Sequence, residues 1–564
     1  MKKVLFTIAI MLYASLTFAQ PGGMTTATGA STTYAFKTAI NNLWQYDSSN
    51  NLYYIVGLYY CSNPADKTYE QMGIYVPAAY MNATANSDGT YTCTINTTAT
   101  VNGYSSSTAP IVIPVNTPGY SAQAAPTGSS TSVTSYIKAG FIYLWAGCRG
   151  RDAGAPLGVT DLKSAIKYYR YLQAEQKSVP GNVNAIFSFG HSGGGAQSSL
   201  LGASGNSTLY DDYFTAIGAA TEYKDDICGA MCWCPITNLD QADGAYEWNM
   251  GLTRSGLSTS DSNISAGLAK VFANYVNAIG FKDPSTGATL TLSSTTDGYY
   301  QSGSYYQYIM GVINDAVSRY NTYNSASVSK YSTTDASALK SFTSSYKTAS
   351  KGLGAFDDYD EKGQAENTLL GIAGTAGHFD DSLATLVKTN ASSYYSYFTS
   401  DLASTNVDAA GKTVHTRLMM YTPLYYLIDN STYYNGGGSG SSTVAPYWRI
   451  RTGIDQQDTG LPTEVNLALA LQNRDGVKAV DFETIWGQAH TEAEDSGSAE
   501  TNFISWVEKY ASSVATSADK IKASSDAKEV ARYSITGEKL NNPTIGINIV
   551  VMSDGTTRKE IVRE

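Results

Sequence analysis

The chain has 564 residues, with 37 Lys and Arg against 48 Asp and Glu, which gives a formal net charge of −11. This acidic balance argues against a nucleic-acid partner, because neutralising phosphates requires a basic surface. The length is too great for one small domain and allows a large α/β core with an insertion.

The N-terminus has the pattern of a secretory signal peptide over residues 1–19. Lys2 and Lys3 precede an apolar stretch at 4–16, and a small-residue cleavage site ends at Ala19. The residue directly after that site is Gln20 and not Cys, and no later stretch is apolar for long enough to span a bilayer. We therefore expect an exported protein without a lipid anchor or membrane span, secreted or at the cell surface, with the periplasm as an alternative.

The pattern of apolar runs predicts an α/β fold with a doubly wound, mostly parallel sheet that is covered by helices on both faces. Strands are predicted at 109–116, 139–147 and 183–190, with helices between them, and the alternation resumes near residue 446. The predicted parts are a signal peptide 1–19, a first core part with a β-rich lead-in 20–250, a lid insertion 251–445, a second core part 446–515, a linker 516–528 and a small β-module 529–564.

A helix is predicted at 159–176, between the second and third of these strands. Leu162, Ile166 and Tyr169 recur at helical spacing, and Thr160 stands where an N-cap residue is expected.

Six cysteines follow the signal peptide: Cys61, Cys93, Cys148, Cys228, Cys232 and Cys234. In an exported chain Cys61 and Cys93, both in strand-like segments, are candidates for a disulfide. The Cys-x-Cys at 232–234 has no histidine close to it in the sequence, so buried thiols are favoured over a metal site. No metal and no cofactor is expected.

Ser192 is the candidate nucleophile. It lies in Gly190-His191-Ser192-Gly193-Gly194, which fits G-x-S-x-G, with an apolar strand before it and a helix able to follow. In a nucleophile elbow the flanking glycines permit the sharp turn, and the N–H of the following residue, here Gly193, points at the oxyanion. The alternative is a flexible Gly/Ser loop.

Four histidines could serve as the base: His191, His378, His415 and His490. His191 adjoins the serine, and an elbow directs neighbouring side chains apart, so we expect it to pack or orient. His378 falls in the predicted lid and His415 in a polar segment, and each is expected to be a surface or lid residue. His490 ends a strand before the final helix, where this architecture places its base.

The acid and the second oxyanion donor have weaker signals. Asp455 and Asp458 follow the strand before His490, and either could hold the second imidazole nitrogen. Sequence chemistry does not separate them, and both could be ordinary loop carboxylates. Gly119, after the first core strand, could supply an N–H to the oxyanion, the alternative being a simple Pro-Gly turn.

These residues lie in segments that resemble the bacterial tannase and feruloyl-esterase-like α/β-hydrolases. The resemblance runs in order from about residue 109 to 507. It is carried by IVIPVNTPGY, WAGCRGRDAGAPLGVTDLKSAIKYYRYL, GHSGGGAQSSLLGASGN, CPITNLDQADGAYEWN, YWRIRTGIDQQDTG, TEVNLALAL and VDFETIWGQAH.

The resemblance implies ester cleavage by a Ser–Asp–His triad. Ser192 and His490 match the family positions, and the separation between acid and histidine favours Asp458 over Asp455. In bacterial tannases, charged lid residues and a second acid grip the phenolic hydroxyls of a galloyl group. Here Lys351, Glu366 and Asp455 are the corresponding candidates.

The chain also departs from its relatives. Fungal members join the neighbours of the serine and the histidine by a disulfide, whereas His191 and Ala489 stand at those positions here. The acid loop reads Asp-Gln-Gln-Asp. At the C-terminus, YSITGEKL, GINIV and SDGTTRK resemble the sorting tails of the type IX secretion pathway.

The resulting hypothesis is a secreted serine esterase that forms an acyl-enzyme on gallate-like or ferulate-like esters. The expected partner is a small phenolic ester, and the oligomeric state is left open. Two alternatives remain: a serine peptidase on the same fold, and a non-catalytic surface protein that binds glycans or phenolics through aromatic side chains.

Overall fold

A computed structural model describes residues 33–429, 433–434, 441–514, 528–534, 537–552 and 557–562. The predicted signal peptide and, except for its last residue, the predicted linker lie outside these ranges.

The strands that precede the candidate nucleophile include the predicted β-rich lead-in. They are β1 Gln45–Asp47, β2 Leu52–Tyr59, β3 Gln71–Pro77, β4 Met81–Ala85, β5 Tyr91–Ile95, β6 Thr100–Val101, β7 Tyr104–Ser105, β8 Ile111–Val115, β9 Ile142–Ala146 and β10 Ile186–His191. The later strands are β11 Gly229–Trp233, β12 Tyr447–Gly453, β13 Ala479–Ile485, β14 Glu529–Ser534, β15 Lys539–Leu540, β16 Gly546–Met552 and β17 Thr557–Val562.

A mixed sheet of nine strands forms the centre of the molecule, in the order β1-β2-β3-β9-β8-β10-β11-β12-β13. In this order, the neighbouring strands β9, β8, β10, β11, β12 and β13 pair in parallel. The neighbouring strands β1, β2, β3 and β9 pair antiparallel. Strand β8 is buried along its whole length, as expected for an apolar, β-branched strand covered on both faces. The predicted mostly parallel α/β sheet is confirmed.

The helices before the insertion connect and cover this sheet. They are α1 Thr134–Lys138, α2 Leu157–Tyr171, α3 Gly193–Ala203, α4 Asp211–Ile217 and α5 Ala242–Met250. The later helices are α6 Thr259–Ile279, α7 Ser304–Asn324, α8 Ala338–Tyr346, α9 Ala365–Leu370, α10 Asp381–Asn390, α11 Tyr395–Asp401, α12 Val414–Met420, α13 Pro423–Leu427, α14 Leu461–Gln472 and α15 Ala499–Ala511.

In the segment predicted as an insertion, 251–445, the described residues form helices joined by loops. It holds α6 to α13, and none of the named strands falls within it. The chain returns to the central sheet at β12, which is paired with β11. Strands β14 to β17 form a separate four-stranded antiparallel sheet in the order β15-β14-β16-β17.

Two local predictions are wrong: the N-cap at Thr160 and the disulfide between Cys61 and Cys93. Helix α2 begins at Leu157, after Pro156, so Thr160 lies inside the helix and its hydroxyl donates to Pro156 O at 3.2 Å. Pro156 is the residue immediately before the helix, where the missing proline N–H costs no hydrogen bond within the helix, and the N-cap therefore lies about one turn before the predicted one.

Cys61 and Cys93 are both free and buried, as are the other four cysteines. The Cys61 thiol instead faces the Glu70 carboxylate at 3.9 Å. None of the helices in the described part of the chain is both long enough and apolar enough to cross a bilayer.

Candidate active site

Ser192 lies on a sharp turn between β10 and α3. Its backbone has φ 60° and ψ −123°, a conformation that costs a residue with a side chain about 1–3 kcal/mol. The turn is held because Ser192 N donates to Trp233 O at 3.0 Å and Ile236 N donates to Ser192 O at 3.4 Å. Only 7% of Ser192 is exposed. The strand and the helix predicted on either side of this serine are both present.

Two glycines allow the strand and the helix to meet at this turn. A Cβ on Gly190 would lie 2.4 Å from Gly194 O, and one on Gly194 would lie 2.0 Å from Val115 O. Both distances are far inside van der Waals contact, so glycine is required at each position by close backbone approach.

His490 lies in the loop after β13 and reaches the same end of the sheet. Its Nδ1 is 2.9 Å from Gln456 Oε1 and 3.8 Å from Asp458 Oδ2. The His490 side chain is 19% exposed and that of Asp458 is 46% exposed. The structure therefore places Asp458 beside the histidine, with Gln456 as the closer partner of Nδ1.

Asp455, the other candidate acid, is held differently. Its N–H donates to Gln488 O at 3.0 Å. Burial raises the pKa of its carboxyl to about 6, an effect that nearby Lys347 opposes. No hydrogen bond or ion pair joins it to His490 within the described ranges.

Gln456 is a site residue that the sequence argument missed. Its Nε2 donates to Glu464 Oε1 at 2.6 Å and to Thr452 Oγ1 at 2.9 Å, and all three residues are buried. These contacts fix the amide with its oxygen toward His490, so that Nδ1–H can donate to it. The sequence signal for this contact was the position of Gln456, a polar residue between the two candidate acids Asp455 and Asp458.

The electrostatic environment of His490 favours the neutral imidazole. Burial is the main cause that lowers its pKa, and Lys351 and Lys347 lower it further, while Asp458 acts in the opposite direction. A neutral imidazole with Nδ1 engaged can accept a proton at Nε2, as a general base must.

His191 packs against His490, in keeping with the expected packing role. The ring centroids of His191 and His490 are 4.7 Å apart, at an angle of 51°. Burial, together with the neighbouring His490, lowers the pKa of His191 to about 3. Its ring is therefore neutral beside the base.

The surroundings of Cys234 differ from what the sequence suggested. One ligand atom each from His191, Cys234 and His490 lie within 4.8 Å of one another. The Cys-x-Cys segment thus has two histidines near it, brought there from other strand ends by the fold.

The remaining two histidines lie elsewhere. His378 lies within the predicted insertion and is fully buried, with Nδ1 2.8 Å from Asp357 Oδ1 and its ring stacked 3.6 Å from that of Phe398. His415 is at the surface as expected, its side chain 60% exposed and 3.7 Å from Asp381.

The predicted oxyanion donors lie in two backbone segments that touch. Gly119 has φ 55° in a turn, and its carbonyl accepts from Arg151 Nη1 at 2.6 Å. A Cβ on Gly193 would lie 2.5 Å from Tyr120 N. Gly193 is the first residue of α3, so its N–H has no partner within the helix. The turn that carries Gly119 therefore lies directly against the start of α3.

Lys351 and Glu366 come to this region from the helical insertion. Lys351 is close enough to His490 to lower the pKa of the imidazole, and its Nζ lies 4.2 Å from the ring centre of Phe356. Glu366 is 3% exposed, and burial raises its pKa while Lys351 and the Tyr120 hydroxyl act against the rise. An acid, a cation and a phenol thus lie next to the predicted oxyanion turn.

Comparison with known proteins gives a consistent set of similar structures. No family model matches the chain, and neither does any curated protein. Among solved structures, tannin acyl hydrolase from Lactobacillus plantarum is 27% identical, with a TM-score of 0.63, over 81% of this chain and 94% of its own. Fusobacterium nucleatum tannase is 28% identical, with a TM-score of 0.63, over 82% of this chain and 95% of its own.

The chain resembles tannases. This similarity extends over nearly the full length of those enzymes, and it supports the resemblance inferred from the sequence segments. A further tannin acyl hydrolase structure, in complex with ethyl gallate, has the same identity of 27% and the same TM-score of 0.63.

Proposed function

We propose that this protein is a serine carboxylic-ester hydrolase that acts on hydroxyaromatic, gallate-like esters through an acyl-enzyme. The observation that carries the proposal is that the His490 ring lies 4.7 Å from that of His191, the residue before Ser192, at the same end of the sheet. The similarity to a tannin acyl hydrolase complexed with ethyl gallate supports this class of substrate.

In the proposed reaction the Ser192 hydroxyl attacks the ester carbonyl, and His490 Nε2 takes its proton. Gly193 and Gly119 N–H groups receive the oxyanion, an effect worth about 3–4 kcal/mol per donor. His490 then gives the proton to the leaving alcohol, and a water molecule activated by the same imidazole releases the acid.

The proposed positioning of His490 uses two residues. Asp458 supplies the negative charge that stabilises the imidazolium, and Gln456 accepts the Nδ1–H and fixes the ring. The amide of Gln456 cannot supply charge, which is why the carboxylate of Asp458 is retained in this scheme.

For substrate binding we propose that Glu366 and Lys351 bind phenolic hydroxyls of the acyl group. The buried carboxylate of Glu366 can accept a hydrogen bond from one hydroxyl and the ammonium of Lys351 can donate one to another, which gives preference for hydroxylated rings. Asp455 remains a proposed third contact, and its raised pKa lets it act as a donor near pH 6.

The decisive experiment combines active-site labelling with a substrate panel. A labelled fluorophosphonate should attach to Ser192, and methyl gallate should be hydrolysed by the native chain but not by Ser192→Ala. Ser188→Ala is the matched control, because Ser188 lies on β10 and bonds to Ser198 at 2.8 Å. Cleavage of aminoacyl-anilides without methyl esters would favour a peptidase. Hydrolysis unchanged by Ser192→Ala would overturn the proposal.

We also propose that residues 1–19 direct export and that 529–564, after the linker 516–528, form a sorting module. The core would then comprise 20–250 and 446–515, with 251–445 as a lid over the site. The test is the location and the terminal sequences of the mature protein in cells that express the full chain or a chain ending at residue 515. Export that is independent of both segments would contradict this assignment.

A further inference from the structure

Three side chains that can bind a metal ion come from different parts of the fold and lie close together beside the proposed nucleophile. His191 ends β10, Cys234 follows β11, and His490 lies in the loop after β13, yet their ligand atoms lie within 4.8 Å of one another. Two imidazoles and a thiolate are a donor set that suits zinc and similar divalent ions. We infer that these three residues form a binding site for such an ion, and that its occupancy blocks hydrolysis.

His191 has a ring nitrogen without a hydrogen-bond partner in the described part of the chain. Its Nε2 is buried and has no hydrogen-bond partner among the residues described. Leaving a buried polar atom without a partner is unfavourable, so such atoms call for an explanation. His191 is paired with Trp233 in the sheet, which fixes it next to the strand end that carries Cys234. Metal coordination would satisfy this nitrogen.

Cys234 is presented by an unusual backbone and is supported by donors. Its φ is 40°, a conformation in which a residue with a side chain is strained, and it turns the chain at the end of β11. Gly453 N donates to its sulfur at 3.4 Å and Thr452 Oγ1 at 3.7 Å. These donors favour the thiolate that binds metal, whereas burial raises the pKa of the thiol and its S–H donates to Thr491 O at 3.2 Å, so a bound ion would displace that proton.

His490 links occupancy of this site to activity, and this step rests on the proposed function. Its Nδ1 is engaged by Gln456, so Nε2 is the nitrogen left for a metal. The proposed reaction requires the same nitrogen as a proton acceptor. An ion bound there excludes the proton, so binding and hydrolysis are mutually exclusive.

The geometry requires a small contraction. Zinc bonds of about 2.0–2.3 Å in a tetrahedral site place ligand atoms roughly 3.3–3.8 Å apart. From separations of up to 4.8 Å, the three side chains would close by about 1 Å. Three protein ligands leave a fourth position for water.

Binding is tested on the full chain with Co²⁺ as a spectroscopic probe, after removal of metals by chelation. The native chain should give a thiolate-to-cobalt charge-transfer band that Zn²⁺ abolishes by displacement. Cys234→Ser should give no such band, and His191→Gln should weaken Zn²⁺ affinity by at least about 10- to 100-fold, the range seen for lost supporting groups. Cys232→Ser is the matched control, because this buried thiol two residues earlier lies outside the cluster.

Inhibition is measured separately, as the fraction of each variant's own metal-free methyl gallate hydrolysis. Zn²⁺ should inhibit the native chain and Cys232→Ser reversibly, and Cys234→Ser should need a concentration higher by at least about 10-fold. Absence of the cobalt band in the native, folded chain would overturn the site. A band without inhibition would overturn the blocking step. If the native chain does not hydrolyse methyl gallate, the proposed function fails, and the cobalt band alone still tests whether the metal site exists.

Discussion

Gln456 Oε1 lies 2.9 Å from His490 Nδ1, whereas Asp458 Oδ2 lies 3.8 Å from the same atom. The amide is buried and fixed by Glu464, while the carboxylate is about half exposed. In this arrangement the direction of the imidazole and the compensation of its charge depend on different residues.

This division predicts intermediate effects for the two single variants. Loss of the one acid in a conventional triad lowers kcat by about 10⁴-fold. Gln456→Ala removes only the hydrogen bond and Asp458→Asn only the charge, so we expect each to lower kcat by about 10- to 10³-fold. Steady-state kinetics on methyl gallate provide the measurement, and the double variant should approach about 10⁴-fold. A full loss from Asp458→Asn beside no effect from Gln456→Ala would show that the carboxylate acts alone.

Glu366 should determine the preference for hydroxylated rings. Glu366→Gln removes a charged acceptor, and hydrogen bonds to charged groups contribute about 1.5–3 kcal/mol. We therefore expect kcat/KM for methyl gallate to fall by about 10- to 100-fold. Methyl benzoate, which lacks the hydroxyls, is the internal control and should change little. Equal losses on both esters would place Glu366 in the structure of the site rather than in ring recognition.

Gly194 should be intolerant of a side chain. The Cβ of Gly194→Ala would lie 2.0 Å from Val115 O, so the elbow must open, at a cost of about 1–3 kcal/mol or more. Gly311→Ala is the matched control, because Gly311 lies within α7 and an added Cβ meets nothing within 4 Å. That change should stabilise the chain by about 0.5–1 kcal/mol. Urea unfolding measures both, and a neutral Gly194→Ala would contradict the close approach.

Asp225 should make stability depend on pH in acid. It is buried and forms ion pairs with Lys163 at 2.7 Å and Lys167 at 2.9 Å, and these lysines hold its pKa below the usual range despite burial. A carboxyl with a lowered folded-state pKa adds stability that is fully present above the unfolded value of about 4 and is lost as pH falls below it.

Asp225→Asn should therefore unfold more easily at pH 7, by about 3–5 kcal/mol, because it leaves two buried lysines without their partner. The difference from the native chain should shrink in urea unfolding as pH falls from about 4 to about 3, because the unfolded carboxyl then binds a proton that the ion-paired carboxyl of the folded chain does not. A constant difference across that range would rule out this linkage.

The local elements that carry the site could be predicted from the order of residues alone. The apolar run at 183–190, the glycines around Ser192 and the alternation on either side of the insertion identified β10, α3 and the parallel core. These signals are readable because a buried parallel strand and a tight strand-to-helix turn each impose their own residue types over a few neighbouring positions.

Only the tertiary structure decided which distant side chains meet. It put Gln456, and not Asp458, nearest to His490. It also brought His191 and Cys234 to that imidazole, through contacts between strand ends far apart in the chain. No periodicity or spacing encodes such contacts. Parallel strands bring their carboxyl ends to one edge, and the register between them and the path of each loop then set the distances that chemistry requires.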